Sequence, residues 1–201
     1  MARVVGTFNG QDVHEVVLTS QTGVSVAVLT YGALVRDWRV PVGGKMRPVV
    51  LGFDKFDSYP AHSPYFGAIA GRVANRIGGA QFTLDGAVYH LPANEGPNQL
   101  HGGPEGIAQQ IWQIAKENAD SVTLTLSSPD GDMGYPGNLE ISVTYKLKGN
   151  RLEIDFGAKT DRPTPVNIVQ HNYFNLMGHG DVLDHRLSFA AGAYTELGEG
   201  Q

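Results

Sequence analysis

The chain has 201 residues, of which 41% are hydrophobic and 17% charged, with a formal net charge of −5 and no cysteine. That apolar content supports a sizeable core and excludes a disordered, solvating chain, while the negative balance excludes an overall basic nucleic-acid surface. The absence of cysteine removes disulfides, thiolate metal sites and a thiol nucleophile. Met1–Gly10 lacks the apolar run of a signal peptide, and no later stretch approaches the ~20 apolar residues of a membrane span. The expectation is therefore a soluble cytoplasmic protein with no nucleic-acid or membrane partner.

Glycine (26) and proline (11) together exceed the roughly 12% they contribute to an average chain. They punctuate apolar runs about every ten residues, the rhythm of short strands joined by turns. In chain order, the pattern predicts strands over Val13–Leu18, Val24–Thr30, Ala33–Val40 and Val49–Phe53. A hairpin follows at Gln81–Leu91, where Asp85-Gly86 supplies residues that tolerate positive φ. Ile107–Ala115 has some helical spacing, but Trp112 and Ile114 alternate, and a strand is expected. Val122, Leu124 and Leu126 alternate with polar neighbours, as do Leu139, Ile141, Val143, Tyr145 and Leu147. After a Lys148-Gly149-Asn150 turn, the alternation resumes at Leu152, Ile154, Phe156 and Ala158, which reads as a hairpin with one buried face. The last strand-like run is Arg186–Ala190, followed by Ala193-Tyr194-Thr195. With no repeat and no linker-like stretch, the expectation is all-β: one domain over residues 1–201 in which one sheet buries its apolar face on another, a β-sandwich. Nothing near Gln201 reads as a closing strand, so the sandwich is expected to be incomplete at its C-terminal side.

Three segments carry polar residues that a strand core does not need. Gly71-Arg72-Val73-Ala74-Asn75-Arg76-Ile77-Gly78-Gly79 sets two arginines and an asparagine among apolar residues. Their fixed donors either grip hydroxyls or a carboxylate, or tie loops together. Asn98-Gln99-Leu100-His101-Gly102-Gly103-Pro104 puts a histidine on a closely approachable backbone, as a proton carrier or as a plain surface residue. In Asn167-Ile168-Val169-Gln170-His171-Asn172-Tyr173-Phe174-Asn175-Leu176, His171 lies inside an apolar and aromatic run, either as a site residue or as a satisfied core histidine. Asp130–Gly137 is either the rim of a cleft or a cluster of turns. His171, His179 and His185, spaced by eight and six, lack helical zinc spacing, and there is no His-x-His, so no metal site is expected. No phosphate loop and no G-x-S-x-G element is present.

Taken in order, Gly71-Arg72-Val73-Ala74-Asn75-Arg76-Ile77, Leu100-His101-Gly102-Gly103, Asp130-Gly131-Asp132-Met133-Gly134-Tyr135-Pro136-Gly137 and His171-Asn172-Tyr173-Phe174-Asn175-Leu176 resemble the aldose 1-epimerases, or galactose mutarotases. Tyr31-Gly32-Ala33 and Leu51-Gly52-Phe53 resemble the family's early part. The resemblance implies a large antiparallel β-sandwich whose open face holds a free hexose. It also implies an isomerase of carbohydrate metabolism that interconverts α and β anomers by acid–base ring opening, with a monosaccharide partner and no cofactor. It puts His171 as the acid that protonates the ring oxygen and His101 as a hydrogen-bonding partner near that oxygen. Asn75 and Arg76 are implied as binders of sugar hydroxyls. Tyr173 is implied as stacking surface, with Phe174 packing in the core.

In the family the base is a glutamate near the C-terminus of substantially longer chains, preceded by a sugar-binding aspartate. Neither Glu196 nor Glu199 sits in a matching motif. The expectation is a chain carrying the acid half of the site without the base half, and prone to self-association through unpaired sheet edges. Two alternatives stand beside this one. The first is a non-catalytic sugar-binding relative, and the second a hexose-phosphate epimerase in which Arg72 or Arg76 binds the phosphate.

Overall fold

The computed structural model describes residues 1–63, 65–194, 196 and 198. Thr195, Glu199 and Gln201, to which the sequence reading refers, lie outside the described residues. Alternating strands come first: β1 (Arg3–Phe8), β2 (Gln11–Thr19), β3 (Ser25–Leu29), β4 (Val35–Val42) and β5 (Lys45–Pro48) form one antiparallel sheet in sequence order. A short helix α1 (Ser58–His62) follows. Next come short strands: β6 (Ile69–Ala70), β7 (Arg76–Ile77), the hairpin β8 (Gln81–Leu84) and β9 (Ala87–His90), and β10 (Gln99–Leu100). A second antiparallel sheet contains β11 (Gln113–Glu117), β12 (Ser121–Ser128), β13 (Leu139–Lys148) and β14 (Arg151–Thr160), and β15 (Val169–Gln170) completes the set.

The two larger sheets pack face to face, as period-two patterning requires. Val16 and Leu18 of β2 and Val26 and Val28 of β3 meet Val122 and Leu124 of β12 and Ile141, Val143, Tyr145 and Leu147 of β13 in one continuous core. Because β2 alternates, Val13 points the other way, into a second cluster with Tyr31, Phe56 and Tyr59. The first sheet is thus packed against the second on one face and partly covered by this cluster on the other, where Val17 stays exposed, and the expected sandwich is observed.

Several sequence expectations need correction. Val49–Phe53 forms no ladder strand: the Val49 N–H donates to the Trp38 carbonyl and the Phe53 N–H to the Tyr59 hydroxyl, and Val50 forms only an isolated bridge with Phe174. Ile107–Ala115 is not one strand. Ile107–Gln109 is a 3₁₀ turn and β11 begins at Gln113, because Ile107 and Trp112 are both buried and the indole N–H donates to the Ile107 carbonyl at 2.9 Å, which makes the run a corner. Arg186–Ala190 is not a strand, since no described segment pairs with it, and Leu187 and Phe189 are exposed. The β13–β14 hairpin turns as expected, with Gly149 at φ +58°, but the buried face fades along β14. Leu152 and Ile154 touch the core, while Phe156 is 44% exposed where β14 forms the sheet edge. Phe174, expected in the core, is exposed and sets its ring edge-on to Trp38. Neither β1 nor α1 was expected from the sequence pattern.

Tyr145 shows how the sheets are pinned. It is fully buried, and its hydroxyl donates to the Ala33 carbonyl at 2.7 Å, joining β13 to the turn after β3. Burial raises its pKa and keeps it neutral. Tyr145→Phe strands that carbonyl and is expected to cost about 1–2 kcal/mol, whereas Tyr145→Ala, which also leaves a cavity, is expected to cost about 3–5 kcal/mol. Urea unfolding midpoints of the two variants check the difference.

Candidate functional site

The first motif divides into a structural half and an exposed half. Arg72 is 2% exposed, and every N–H of its guanidinium is used. Nε donates to Ser128 Oγ at 2.9 Å, and Nη2 donates to the carbonyls of Ser128 (2.8 Å) and Pro129 (2.9 Å). Nη1 donates to the carbonyls of Pro136 (3.1 Å) and Gly137 (3.0 Å) and to Thr164 Oγ1 (3.3 Å). Its main-chain carbonyl accepts the Asn167 N–H at 2.8 Å. Burial lowers its pKa, opposed by Asp132, Tyr135 and the more distant Asp130 and Asp161. Arg72 is therefore the loop-tying arginine. Asp130–Gly137 is the turn cluster that it holds, with Tyr135 buried beneath and hydrogen-bonded to Gln99 Oε1.

Three residues further on, the backbone turns outward. Asn75, at φ +59°, is exposed, and its N–H donates to His101 Nδ1 at 3.1 Å. In return the His101 N–H donates to the Asn75 carbonyl at 3.0 Å. His101 is also left-handed, at φ +51°, and asparagine and histidine are among the few non-glycine residues enriched there. Next to this clasp, β7 and β10 pair antiparallel, Arg76 opposite Leu100. The glycine after His101 is dictated by contact: at φ +85°, a Cβ on Gly102 would run into the Gly71 carbonyl. The Leu100-His101-Gly102-Gly103 run thus lies backbone to backbone on the first motif.

The third motif arrives through β15, which pairs with β6. The His171 N–H donates to the Ala68 carbonyl at 2.9 Å, and its carbonyl accepts the Gly67 N–H at 3.0 Å. The result brings His101 and His171 together, ring centroids 4.9 Å apart and planes at 87°. Tyr173 lies against His171, centroids 5.1 Å apart, and against Phe66 at 4.9 Å. All three rings of the His101, His171 and Tyr173 group are half-buried, so solvent reaches them.

The electrostatics follow from this packing. Nδ1 of His101 accepts a main-chain N–H, so the proton of the neutral ring sits on Nε2, which is left to donate. Burial, then the proximity of His171 and Arg76, push its pKa down to about 4, with Glu95 opposing. Arg76 is engaged: Nε and Nη2 both donate to the Glu95 carboxylate, the latter at 2.7 Å, and Nη1 donates to Asn75 Oδ1 at 2.9 Å. One N–H on each of Nη1 and Nη2 remains without a partner among the described residues. Glu95, and Tyr65, whose ring centroid is 4.6 Å from that of His101, were not found by sequence reasoning. The amide of Asn172 is buried with neither atom hydrogen-bonded among the described residues. Among the described residues no cluster of three His, Asp or Glu side chains is placed to hold a metal, and no helix is long and apolar enough to cross a membrane.

The family profile described as aldose 1-epimerase matches residues 14–201. Galactose mutarotase of Rattus norvegicus is 46% identical over 158 residues, covering 78% of this chain and 46% of that protein. Aldose 1-epimerase of Escherichia coli strain K12 is 40% identical over 195 residues, covering 96% of this chain and 56% of its own. Among solved structures, galactose 1-epimerase from Lactobacillus acidophilus NCFM superposes with a TM-score of 0.78 at 30% identity, over 88% of this chain and 53% of that one. The aldose epimerase homologue from C. elegans gives the same TM-score at 33% identity, over 81% of this chain and 50% of that one. The chain spans about half the length of the curated relatives it matches.

Two measurements test the site's physics. Arg72→Ala strands four carbonyls, those of Ser128, Pro136 and Gly137 buried, and is expected to cost more than about 3 kcal/mol, with Arg72→Lys intermediate because an ammonium cannot fork to all of them; denaturant titration reads both. For His101, the folded value near 4 lies below the ~6.5 of an unfolded histidine, so only the unfolded chain takes up the proton between those values. Stability is expected to fall as the pH drops from about 6.5 to about 4, by at most about 3 kcal/mol from this group, and His101→Gln is expected to flatten that window in urea midpoints.

Proposed function

The chain belongs to the aldose 1-epimerase family, and from that premise we propose that the full-length protein interconverts the α and β anomers of a free hexose such as galactose or glucose. The single observation that carries this reading is the convergence of His101 and His171, ring centroids 4.9 Å apart at 87°, beside Asn75 and Arg76 on an accessible surface.

Anomer exchange needs one group to give a proton to the ring oxygen while another takes one from the C1 hydroxyl. As the C1 hydroxyl loses its proton, C1–O1 becomes a carbonyl, the C1–O5 bond breaks and O5 is protonated. Rotation about C1–C2 and closure on the other face return both protons, so no cofactor is consumed. His171 is the group that protonates O5. His101, held neutral, donates its Nε2–H to the same oxygen and steadies the changing charge. Asn75 and the two remaining N–H groups of Arg76 bind ring hydroxyls and fix the orientation, which is itself a large share of a rate enhancement. Tyr173 offers an apolar ring surface. The base is the glutamate that the family resemblance implies, and no described carboxylate matches it.

The hexose-phosphate alternative is the weaker one. Arg72 is buried with every donor used, and Arg76 is already paired to Glu95. A non-catalytic sugar binder is separated by polarimetry: the full-length protein is expected to equilibrate fresh α-galactose faster than buffer, and a rate equal to buffer would leave binding alone. His171→Asn is expected to lower kcat by about 10²-fold or more while KM changes only severalfold. Equal losses in sugar binding and turnover would reassign His171 to positioning.

A further inference from the structure

Tyr65 stands against both histidines without belonging to any of the motifs that announce the site. Its ring lies edge-on to His101, centroids 4.6 Å apart at 65°, and tilted over His171 at 6.0 Å and 31°. Its backbone is left-handed, φ +74°, where a bulky aromatic residue is an outlier. Such a conformation persists only when the surroundings over-determine it.

Here they do. The Phe66 N–H donates to Ser63 Oγ at 2.8 Å, and the Ala68 N–H donates to the Tyr65 carbonyl at 3.1 Å. Gly67, at φ +68°, is pressed so closely against the Val35 carbonyl that no Cβ fits. Its carbonyl accepts the Val35 N–H at 2.9 Å and Gln170 Nε2–H at 3.0 Å, while its own N–H serves the His171 carbonyl. The phenol end lies beside the Asn94 and Gln109 side chains. Asn94 in turn clips the residue before His101: its Nδ2 donates to the Leu100 carbonyl at 3.0 Å and its Oδ1 accepts the Leu100 N–H at 2.7 Å. The ring also lines a cavity of about 100 Å³ together with Tyr31, Tyr59 and Ser63.

The geometry points to Tyr65 as a positioning residue: a strained aromatic ring, set beside Asn94, which clips the His101 turn, and joined through Gly67 to the His171 backbone, that sets the angle of the imidazole pair. The assignment rests on the anomer-exchange reading for its consequence in turnover, but not for its effect on His101. That ring is faced by His171, Arg76 and Glu95 as charged or titratable groups, and by the ring of Tyr65, which covers part of it.

The test is titration of the His101 ring by ¹⁵N-detected NMR in the full-length protein below its melting temperature, alongside polarimetric kinetics. Tyr65→Leu, which keeps apolar bulk but removes the aromatic edge, is expected to raise the His101 midpoint by about one pH unit or more and to lower kcat roughly 10- to 100-fold, with KM changed less than about threefold. Tyr65→Phe, which removes only the hydroxyl beside Asn94 and Gln109, is expected to broaden the His101 signals by exchange and to lower kcat about three- to tenfold. A merely structural role would lower the melting temperature and leave the folded-state His101 signals alone. Unchanged His101 midpoint and line shapes in the folded variants would overturn the assignment, and if Tyr65→Leu does not fold, Tyr65→Phe decides it. Movement of the His101 signals in a protein whose wild type does not speed anomer exchange supports the positioning and overturns the functional reading alone.

Discussion

The hydrogen bond from the Asn75 amide to Nδ1 of His101 constrains the rest of the site. An imidazole that accepts at one nitrogen must, when neutral, donate at the other, so a main-chain group selects the tautomer. The return bond from the His101 amide to the Asn75 carbonyl makes the clasp reciprocal. Both residues must be left-handed for it to close, and the loop carrying His101 must lie flat on Gly71, which only a glycine at 102 permits. A chemical property of one ring thereby depends on backbone geometry in two segments twenty-six residues apart.

That geometry is supported from below by groups that never meet solvent. Arg72 gathers the Ser128–Pro129 and Pro136–Gly137 carbonyls and sits four residues before Arg76 in the same motif. Tyr135, in the turn that Arg72 holds, reaches Gln99, which forms β10 with Leu100 next to His101. One motif therefore carries a buried cation satisfied by carbonyls, which stabilises the scaffold, and a partly exposed one, which meets Asn75 beside His101. A buried cation without a carboxylate partner is tolerable here because five N–H donors each find an oxygen.

The sequence made the regular part of this architecture legible. Alternation over Val122–Leu126 and Leu139–Leu147 translated directly into the inter-sheet core, and Asp85-Gly86 into a two-residue hairpin with both residues at positive φ. Apolar runs without a pairing partner misled, because Val49–Phe53 and Arg186–Ala190 have strand-like composition but nothing described that completes a ladder. The Ile107–Ala115 corner was hidden because a single indole N–H decides it. At the site, residue type and glycine context picked out His101, His171 and Asn75. Nothing in the pattern distinguished the burial of Arg72 from the exposure of Arg76. Tyr65 and Glu95 were invisible for a similar reason: one depends on a strained backbone and the other on an ion pair across nineteen residues.

That ion pair also bears on which ligands the site suits. Without Glu95, the unpaired Arg76 guanidinium would give the hollow a net positive charge, a natural trap for an anion. With Glu95 forked onto Arg76, the guanidinium keeps directional N–H groups while most of its field is cancelled close by. His101 adds no charge at neutral pH, since its pKa is near 4. What remains is a surface rich in oriented donors and poor in net charge. Such a surface discriminates by hydrogen-bond geometry rather than by attraction, and it suits a neutral polyol better than a phosphorylated one. The balance is self-consistent, because burial, with His171 and Arg76 close by, holds His101 neutral, so that its Nε2–H stays a donor of fixed direction.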